Sequence, residues 1–325
     1  MAGAKVAMTD SVFPSLDLIN DVLRPLDTKV ILAEEPTLEG ITAVAHDADG
    51  LLVTYAEVTA EVIQRLSRCK VISRTGIGVD NVDVEAATKA GIVVTRVPDY
   101  CIDEVSDHAM ALLLALVRKI PFSSRMVHEG RWEMKAVTPI HRLRGQTLGL
   151  VGFGQIPRAL VPKAQAFGLD LIAYDPYVSE EEMRSLGVGR VSFDELVERS
   201  DLISIHAPLT PDTHHMFDQD AFRAMKSSAY LVNTARGPLV DVEALGEGLA
   251  AGEIRGAGLD VLEEEPPAPG SAVLGRDDVI FTPHTGFYSV ESLEELQRKA
   301  AQEVVSVLQG EAPRCPVNPE VLEQS

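Results

Sequence analysis

Residues 146–176 read QTLGLVGFGQIPRALVPKAQAFGLDLIAYDP, and the order of their apolar runs and glycines decides the fold. Thr147 to Val151 is a short apolar strand that breaks at Gly152-Phe153-Gly154, where two glycines let the backbone turn tightly and approach a ligand without a Cβ in the way. Ile156 to Phe167 carries apolar residues at helical spacing (Ile156, Leu160, Ala164, Phe167). Gly168 stops that helix, and Leu169 to Tyr174 is a second strand ending in Asp175. Free N–H groups at the helix mouth would face a pyrophosphate, and the terminal carboxylate would accept from both hydroxyls of a ribose. The third glycine of the usual pattern is Pro157 here; proline is tolerated in a first helical turn, so the cradle is expected to survive with one fewer amide donor. Asp175 would repel a 2′-phosphate, and neither Pro176 nor Tyr177 brings a positive charge, which favours NAD over NADP.

At 325 residues the chain suits two domains. A composition of 46% hydrophobic and 24% charged residues is that of a globular enzyme, and a formal net charge of -20 argues against nucleic-acid binding. Three cysteines, Cys69, Cys101 and Cys315, lack metal-ligand spacing, so no metal is expected and a reduced, cytoplasmic compartment is. The N-terminus has no signal-peptide layout. The longest apolar run, Ala109 to Val117, is too short to span a bilayer, so no membrane partner is expected either.

Before residue 146, the runs Lys5 to Met8, Val30 to Ala33, Gly50 to Thr54 and Lys70 to Ser73 alternate with helical stretches such as Leu16 to Leu23 and Val62 to Ser67. That alternation predicts a parallel sheet covered on both faces. Arg74-Thr75-Gly76-Ile77-Gly78 follows the fourth strand, where open α/β sheets place ligands. After a further strand, Gly91 to Thr95, residues 97–104 read as a linker. Ser106 or Asp107 then caps an apolar helix running to Lys119, expected between the domains as a hinge. The irregular segment from Trp132 to Arg144 is expected to wrap a neighbouring subunit. Beyond residue 176 come strands Asp201 to His206, Ala229 to Asn233, Gly256 to Asp260 and Val279 to Thr282, then a closing helix, Val290 to Leu308. The proline-rich tail, Pro313 to Pro319, is expected to return to the first domain. The expected fold is therefore α/β: two open doubly wound parallel-sheet domains, a flavodoxin-like substrate domain (1–104 with 290–325) and a Rossmann NAD-binding domain (105–289), with an interdomain cleft.

Arg236, Glu265 and His284 each stand just past a strand's carboxyl end in the second half, and Ala207 stands past another. A guanidinium fork fits a carboxylate and polarises an adjacent carbonyl. Histidine titrates near neutrality and can pass a proton to a ketone oxygen or take one from an alcohol. A carboxylate hydrogen-bonded to that ring favours its protonated form. Together the three fit a keto acid/hydroxy acid redox pair. Glu265 belongs to an acidic run, Glu263-Glu264-Glu265, that also reads as solvated surface, and His214-His215 reads as a loop rather than a metal site.

GFGQIPRAL with Asp175, NTARGPLVD, GLDVLEEEPP and TPHTGFYS, in that order, resemble the D-isomer-specific 2-hydroxyacid dehydrogenases. The likeness extends over essentially the whole chain, including RTGIGVDNVD and VPDYCIDEVSDH. It is nearest the phosphoglycerate dehydrogenase and C-terminal-binding-protein-like branches, with Phe287-Tyr288-Ser289 where the latter usually carry Trp-Tyr-Ser. The resemblance implies that Arg236, Glu265 and His284 are catalytic. It places Gln155 and Ile156 at the pyrophosphate, beside Gly152 and Gly154 of the turn, Asp175 at the ribose, and Thr234, Ala235, Arg236 and Asp260 around the nicotinamide. Gly76, Ile77 and Gly78 become the substrate-carboxylate loop. Apart from the resemblance, Tyr55, Arg74, Ile77, Tyr100 and Phe287 are candidate pocket residues and suggest a mixed apolar and aromatic pocket. The resemblance also implies a homodimer paired through the cofactor domain, and no room for the regulatory domain that some phosphoglycerate dehydrogenases append. The formate dehydrogenase branch carries glutamine where this chain has Glu265. The implied activity is NAD-dependent hydride transfer to and from a small D-2-hydroxy acid. The rivals are an NAD(H)-sensing corepressor-like protein and a dehydrogenase acting on phosphite or a phosphonate.

Overall fold

Strand–helix alternation along the chain builds two parallel sheets. The computed structural model describes residues 3–324, which form two compact units: the chain up to Tyr100 together with the chain from Ser289 on, and Cys101–Tyr288.

The first unit holds β1 (Val6–Met8), β2 (Val30–Leu32), β3 (Gly50–Val53), β4 (Val71–Arg74) and β5 (Val93–Thr95), all parallel, in the order β2-β1-β3-β4-β5. β1, β3 and β4 are buried along their full length, which is why they read as unbroken apolar runs; β2, at the edge, is largely exposed. The closing helix Val290–Leu308 lies on β3 and β4. Gly50 makes room for it, since a Cβ there would stand 2.9 Å from Val304 Cγ1. A capping box between Ser289 and Ser292 starts that helix. The tail does return to this unit: Val317 N–H donates to the Val94 carbonyl, and Asn318 accepts from Val94 N–H while donating to Ile92 and Thr88.

The second unit holds β6 (Thr147–Val151), β7 (Asp170–Tyr174), β8 (Gly189–Arg190), β9 (Leu202–Ile205), β10 (Tyr230–Asn233), β11 (Gly256–Leu259) and β12 (Val279–Phe281), again all parallel, in the order β12-β11-β10-β9-β6-β7-β8. The chain starts in the middle at β6, builds outward to β8, then returns to lay β9 on β6's other side. The order reverses between β6 and β9, and in open α/β sheets ligands bind beyond the carboxyl ends at such a reversal. Side chains alternate between the two cores: Leu148, Leu150, Leu202 and Val232 face one, with Phe153 and Leu160, while Val151, Ile203, Ile205 and Leu231 face the other, with Phe217 and Phe222.

The first long helix departs from its sequence reading. It runs Ile102–Val117, with Cys101 at its N-cap and no side-chain cap. Ser106 and Asp107 are therefore inside it: the Ser106 hydroxyl bonds back to the Ile102 carbonyl at 2.8 Å, and both residues meet Lys163 Nζ. Asp103 and Glu104 in the first turn offset the helix dipole in place of a cap. The helix packs on Gln155–Ala166, β10 and β11, all within the second unit.

Candidate active site

The glycine turn is shaped by its neighbours in the sheet. Gly152 has φ 87°, and a Cβ there would come within 2.9 Å of the His206–Ala207 backbone at the end of β9. Phe153 is fully buried, so its side chain anchors the turn from below. Gly154 is the N-cap of helix Gln155–Ala166, and a Cβ there would meet nothing within 4 Å. No neighbour within the chain therefore excludes a side chain at Gly154, and the space beside it is open to a ligand. Pro157 occupies the first turn, as the sequence suggests. The Asp175 carboxylate accepts from Phe153 N–H and from Tyr177 N–H, each at 2.8 Å, which ties the end of β7 to the turn. Each of its oxygens retains capacity for a further donor.

Beside this turn, at the end of β9, stands His206, a residue sequence reading passed over. Burial pushes its imidazole down to about 3, and Ser204 Oγ lies 2.9 Å from its Nε2. The ring is therefore neutral at ordinary pH and adds no charge to the switch point.

Arg236, Glu265 and His284 follow β10, β11 and β12, neighbouring strands of one sheet, at their carboxyl ends. Buried Asn233 braces the Arg236 loop by accepting from Ala235 N–H at 3.0 Å and donating to the Arg236 carbonyl at 2.8 Å. Gly237 lets that loop press against the next: a Cβ there would lie 2.0 Å from the Leu262 carbonyl. Leu262 N–H in turn donates to Glu265 Oε1 at 3.1 Å, and His284 Nδ1 donates to Glu265 Oε2 at 2.7 Å. Burial pushes the Glu265 carboxyl up, but the His284 hydrogen bond and charge, with the Leu262 amide, outweigh it and hold it below the ordinary value. Glu265 is thus ionised at neutral pH, and as an acceptor only it fixes Nδ1 as the donor.

His284 sits at φ 52°, unusual for a residue with a Cβ, and a buried carboxylate holds it there. Asp260, 3% exposed, accepts from Thr282 Oγ1 (2.5 Å), Thr285 N–H (2.9 Å) and Gly286 N–H (2.8 Å), while its own carbonyl accepts from His284 N–H (2.8 Å). Burial raises this carboxyl; the bonds from His108, Thr282, Thr285 and Gly286 bring it below its ordinary value. Its carboxylate therefore organises the histidine loop itself. Phe287 lies edge-on to His284, ring centroids 6.0 Å apart. Among the described residues, Thr234 Oγ1 is buried without a hydrogen-bond partner on the same edge, and such an orphan hydroxyl fits a ligand group supplied from outside.

Residues 110–286 match the family model described as D-isomer specific 2-hydroxyacid dehydrogenase, NAD binding domain. The chain belongs to this family. It is 40% identical over 316 residues to D-3-phosphoglycerate dehydrogenase of Methanocaldococcus jannaschii, covering 97% of this chain and 59% of that protein. It is 37% identical over 292 residues to glyoxylate reductase of Korarchaeum cryptofilum, covering 88% of each. Among solved structures, D-lactate dehydrogenase from Aquifex aeolicus complexed with NAD and lactic acid superposes with a TM-score of 0.86 at 28% identity over 98% of both chains. The chain spans little more than half the length of the phosphoglycerate dehydrogenases it matches.

The family's NAD-binding domain thus coincides with the second unit, where the cofactor and catalytic candidates lie. The substrate-loop candidates other than Phe287 lie in the first unit, at the carboxyl edge of its own sheet. Arg74 ends β4, is buried, and donates from Nη1 to the Thr75 carbonyl at 2.9 Å. A Cβ on Gly76 would stand 1.2 Å from Arg74 Nη1, so a side chain there would have to displace the Arg74 guanidinium. Ile77 and Gly78 are partly exposed beyond it, Tyr55 is 42% exposed at the end of β3, and Tyr100 is buried. Buried Asn81 braces this edge by donating to the Thr54 and Ala56 carbonyls. His215 and Glu263, read from sequence as loop and solvated surface, are hydrogen-bonded to each other through His215 Nε2. Among the described residues, no cluster of three or more His, Cys, Asp and Glu side chains is placed to hold a metal, and no helix is long and apolar enough to cross a membrane.

Proposed function

We propose that the chain is an NAD-dependent oxidoreductase that interconverts a small D-2-hydroxy acid and its 2-keto acid. The observation that carries this reading is the 2.7 Å His284–Glu265 bond, on the same sheet edge as the Arg236 loop and the glycine turn. The Arg236 guanidinium binds the substrate carboxylate and polarises the neighbouring carbonyl. With Nδ1 committed to Glu265, Nε2 of His284 gives the proton to the carbonyl oxygen in reduction and takes it from the hydroxyl in oxidation. Bound NAD(H) supplies or accepts the hydride. Gly152, Gly154, Gln155 and Ile156 would hold its pyrophosphate and Asp175 its adenosine ribose, with preference for NAD over NADP. Ala207, Thr234 and Ala235 would line the rest of that edge. Steady oxidation of NADH with a panel of 2-keto acids tests the reading, and tight NADH binding without turnover of any acid would refute it in favour of a sensing protein.

The same reading takes the chain to be a cytoplasmic homodimer paired through the second unit. The free thiols of Cys69 and Cys315 suit a reducing compartment. Trp132 and Met134, 89% and 77% exposed on the irregular segment after helix Ile120–His128, are the kind of surface a partner copy covers. Light scattering at micromolar concentration should give twice the mass of the chain.

A further inference from the structure

Helix Ile102–Val117 lies on β11 and brings a polar side chain to the histidine loop. Gly258 in β11 admits the helix: a Cβ there would stand 3.2 Å from Leu112 Cβ and 3.3 Å from Leu116 Cδ1. One turn before Leu112, on the same face, the leucine stripe gives way to His108. Its imidazole reaches the carboxyl end of the sheet, where Nε2 lies 2.8 Å from Thr282 Oγ1 and 3.4 Å from Asp260 Oδ1. The ring also covers Gly286, where a Cβ would come 2.8 Å from Asp260 Oδ2 and 3.4 Å from His108 Cδ2.

The direction of these bonds is fixed by what each group can give. An ionised carboxylate only accepts, so the Thr282 hydroxyl spends its one proton on Asp260 Oδ1, at 2.5 Å. Thr282 Oγ1 is then an acceptor toward His108, and Nε2 must carry the proton. The bonds run one way, from His108 Nε2–H to Thr282 Oγ1 and from the Thr282 hydroxyl to Asp260. The backbone N–H groups of Thr282, His284, Thr285 and Gly286 bond to Leu259 and Asp260; His108 reaches the same loop from a different element. His284 sits in that loop at φ 52°, a conformation that persists only where its surroundings over-determine it. Slack in one support therefore passes to the imidazole.

We propose that His108 is a positioning residue for His284: through Thr282 and Asp260 it fixes the loop on which the reacting imidazole meets Glu265. The proposal rests on the role given to His284 above, and two readouts keep the two apart. Glutamine places an amide nitrogen where Nε2 stands, asparagine where Nδ1 stands, and leucine brings no donor. A misplacement of 1 Å costs about 100-fold in rate, so His108→Leu and His108→Asn should each lower kcat with NADH and a 2-keto acid by about tenfold or more, while His108→Gln stays within about threefold of the parent. NADH affinity by fluorescence titration should hold in all three. The second readout needs no turnover. The His284 Nδ1 proton, shared with Glu265, should give a low-field proton resonance, identified by its absence from His284→Gln. It should move or broaden in His108→Leu and His108→Asn and keep the parent's position in His108→Gln. A parent that oxidises NADH with no keto acid would refute the reading of function, and the resonance would still test His108. An unmoved resonance in His108→Leu, glutamine no better than asparagine, or NADH affinity falling in step with kcat would each overturn the proposal.

Discussion

Replacing Glu265 by glutamine isolates one charge while keeping the atoms that shape the loop. The amide oxygen can still accept from Leu262 N–H or from His284 Nδ1, which bond to Glu265 at 3.1 and 2.7 Å, so geometry changes little and the negative charge is lost. Two unit charges about 4 Å apart near a protein surface interact by about 4 kcal/mol, whereas exposed ion pairs contribute only about 0.2–1 kcal/mol. The Glu265 side chain is 39% exposed and that of His284 27%. Solvent therefore removes most of the Coulomb value and leaves about 1 kcal/mol.

The sign follows from which form of the ring each direction needs. Reduction of a keto acid requires the protonated imidazole, which the Glu265 carboxylate favours, so reduction fades at high pH. Without the carboxylate that alkaline limb should move to lower pH. Oxidation requires the neutral ring, and its acid limb should move down by the same amount. Both shifts are read from kcat/KM profiles between about pH 5 and 10, and both belong to the coupled pair rather than to one residue. Limbs that stay in place in both directions, whatever happens to the maximum rate, would refute the pairing as the source of the pH dependence.

Three further outcomes rest on separate contacts. Asp260→Asn turns an amide toward backbone N–H groups that need an acceptor, and should cost about 2–3 kcal/mol in urea unfolding at pH 7. Because the Asp260 carboxyl lies below its ordinary 3.8 in the fold, that difference should persist above about pH 4 and close as pH falls through the folded-state value. Gly237→Ala places a Cβ 2.0 Å from the Leu262 carbonyl and must displace the Glu265 loop; turnover should fall by about 100-fold while NADH affinity, measured by fluorescence titration, barely changes. Asp175→Ala removes the charge that would repel a 2′-phosphate and should narrow the ratio of kcat/KM for NAD over NADP, whereas equal use of the two cofactors by the parent would sink the cofactor assignment.

The elements that could be read from the chain alone are those whose signal is local. Thr147–Val151 and Val290–Leu308 match their sequence readings because each is bounded by its own punctuation, a glycine turn in one case and a serine capping box in the other. Where two local signals compete, the reading slips. Ser106 and Asp107 are good capping residues, yet the four residues before them are already helical, because Lys163, far away in sequence, meets both side chains and frees them from any capping duty. Pro162 sits inside a helix that nevertheless continues, packed against Ile102–Val117. β8 spans two exposed residues and has no apolar pattern to detect.

The site divides along the same line. Arg236, Glu265 and His284 stand out because each follows a strand by a few residues. What brings them to one edge is that β10, β11 and β12 are neighbours in the sheet, which no local pattern encodes. Gly237 and Asp260 act only through that adjacency, each admitting or bridging a loop from another part of the chain, whereas Asn233 braces the loop that follows its own strand. The acidic run shows how far adjacency changes a meaning. Of three consecutive glutamates that look alike in sequence, Glu263 is bonded to His215 and Glu265 to His284, while Glu264 is exposed. His215 also approaches Asp241 Oδ2 at 3.8 Å. His215, unremarkable in a loop, is thus bonded to the acid two positions before the one that bonds His284.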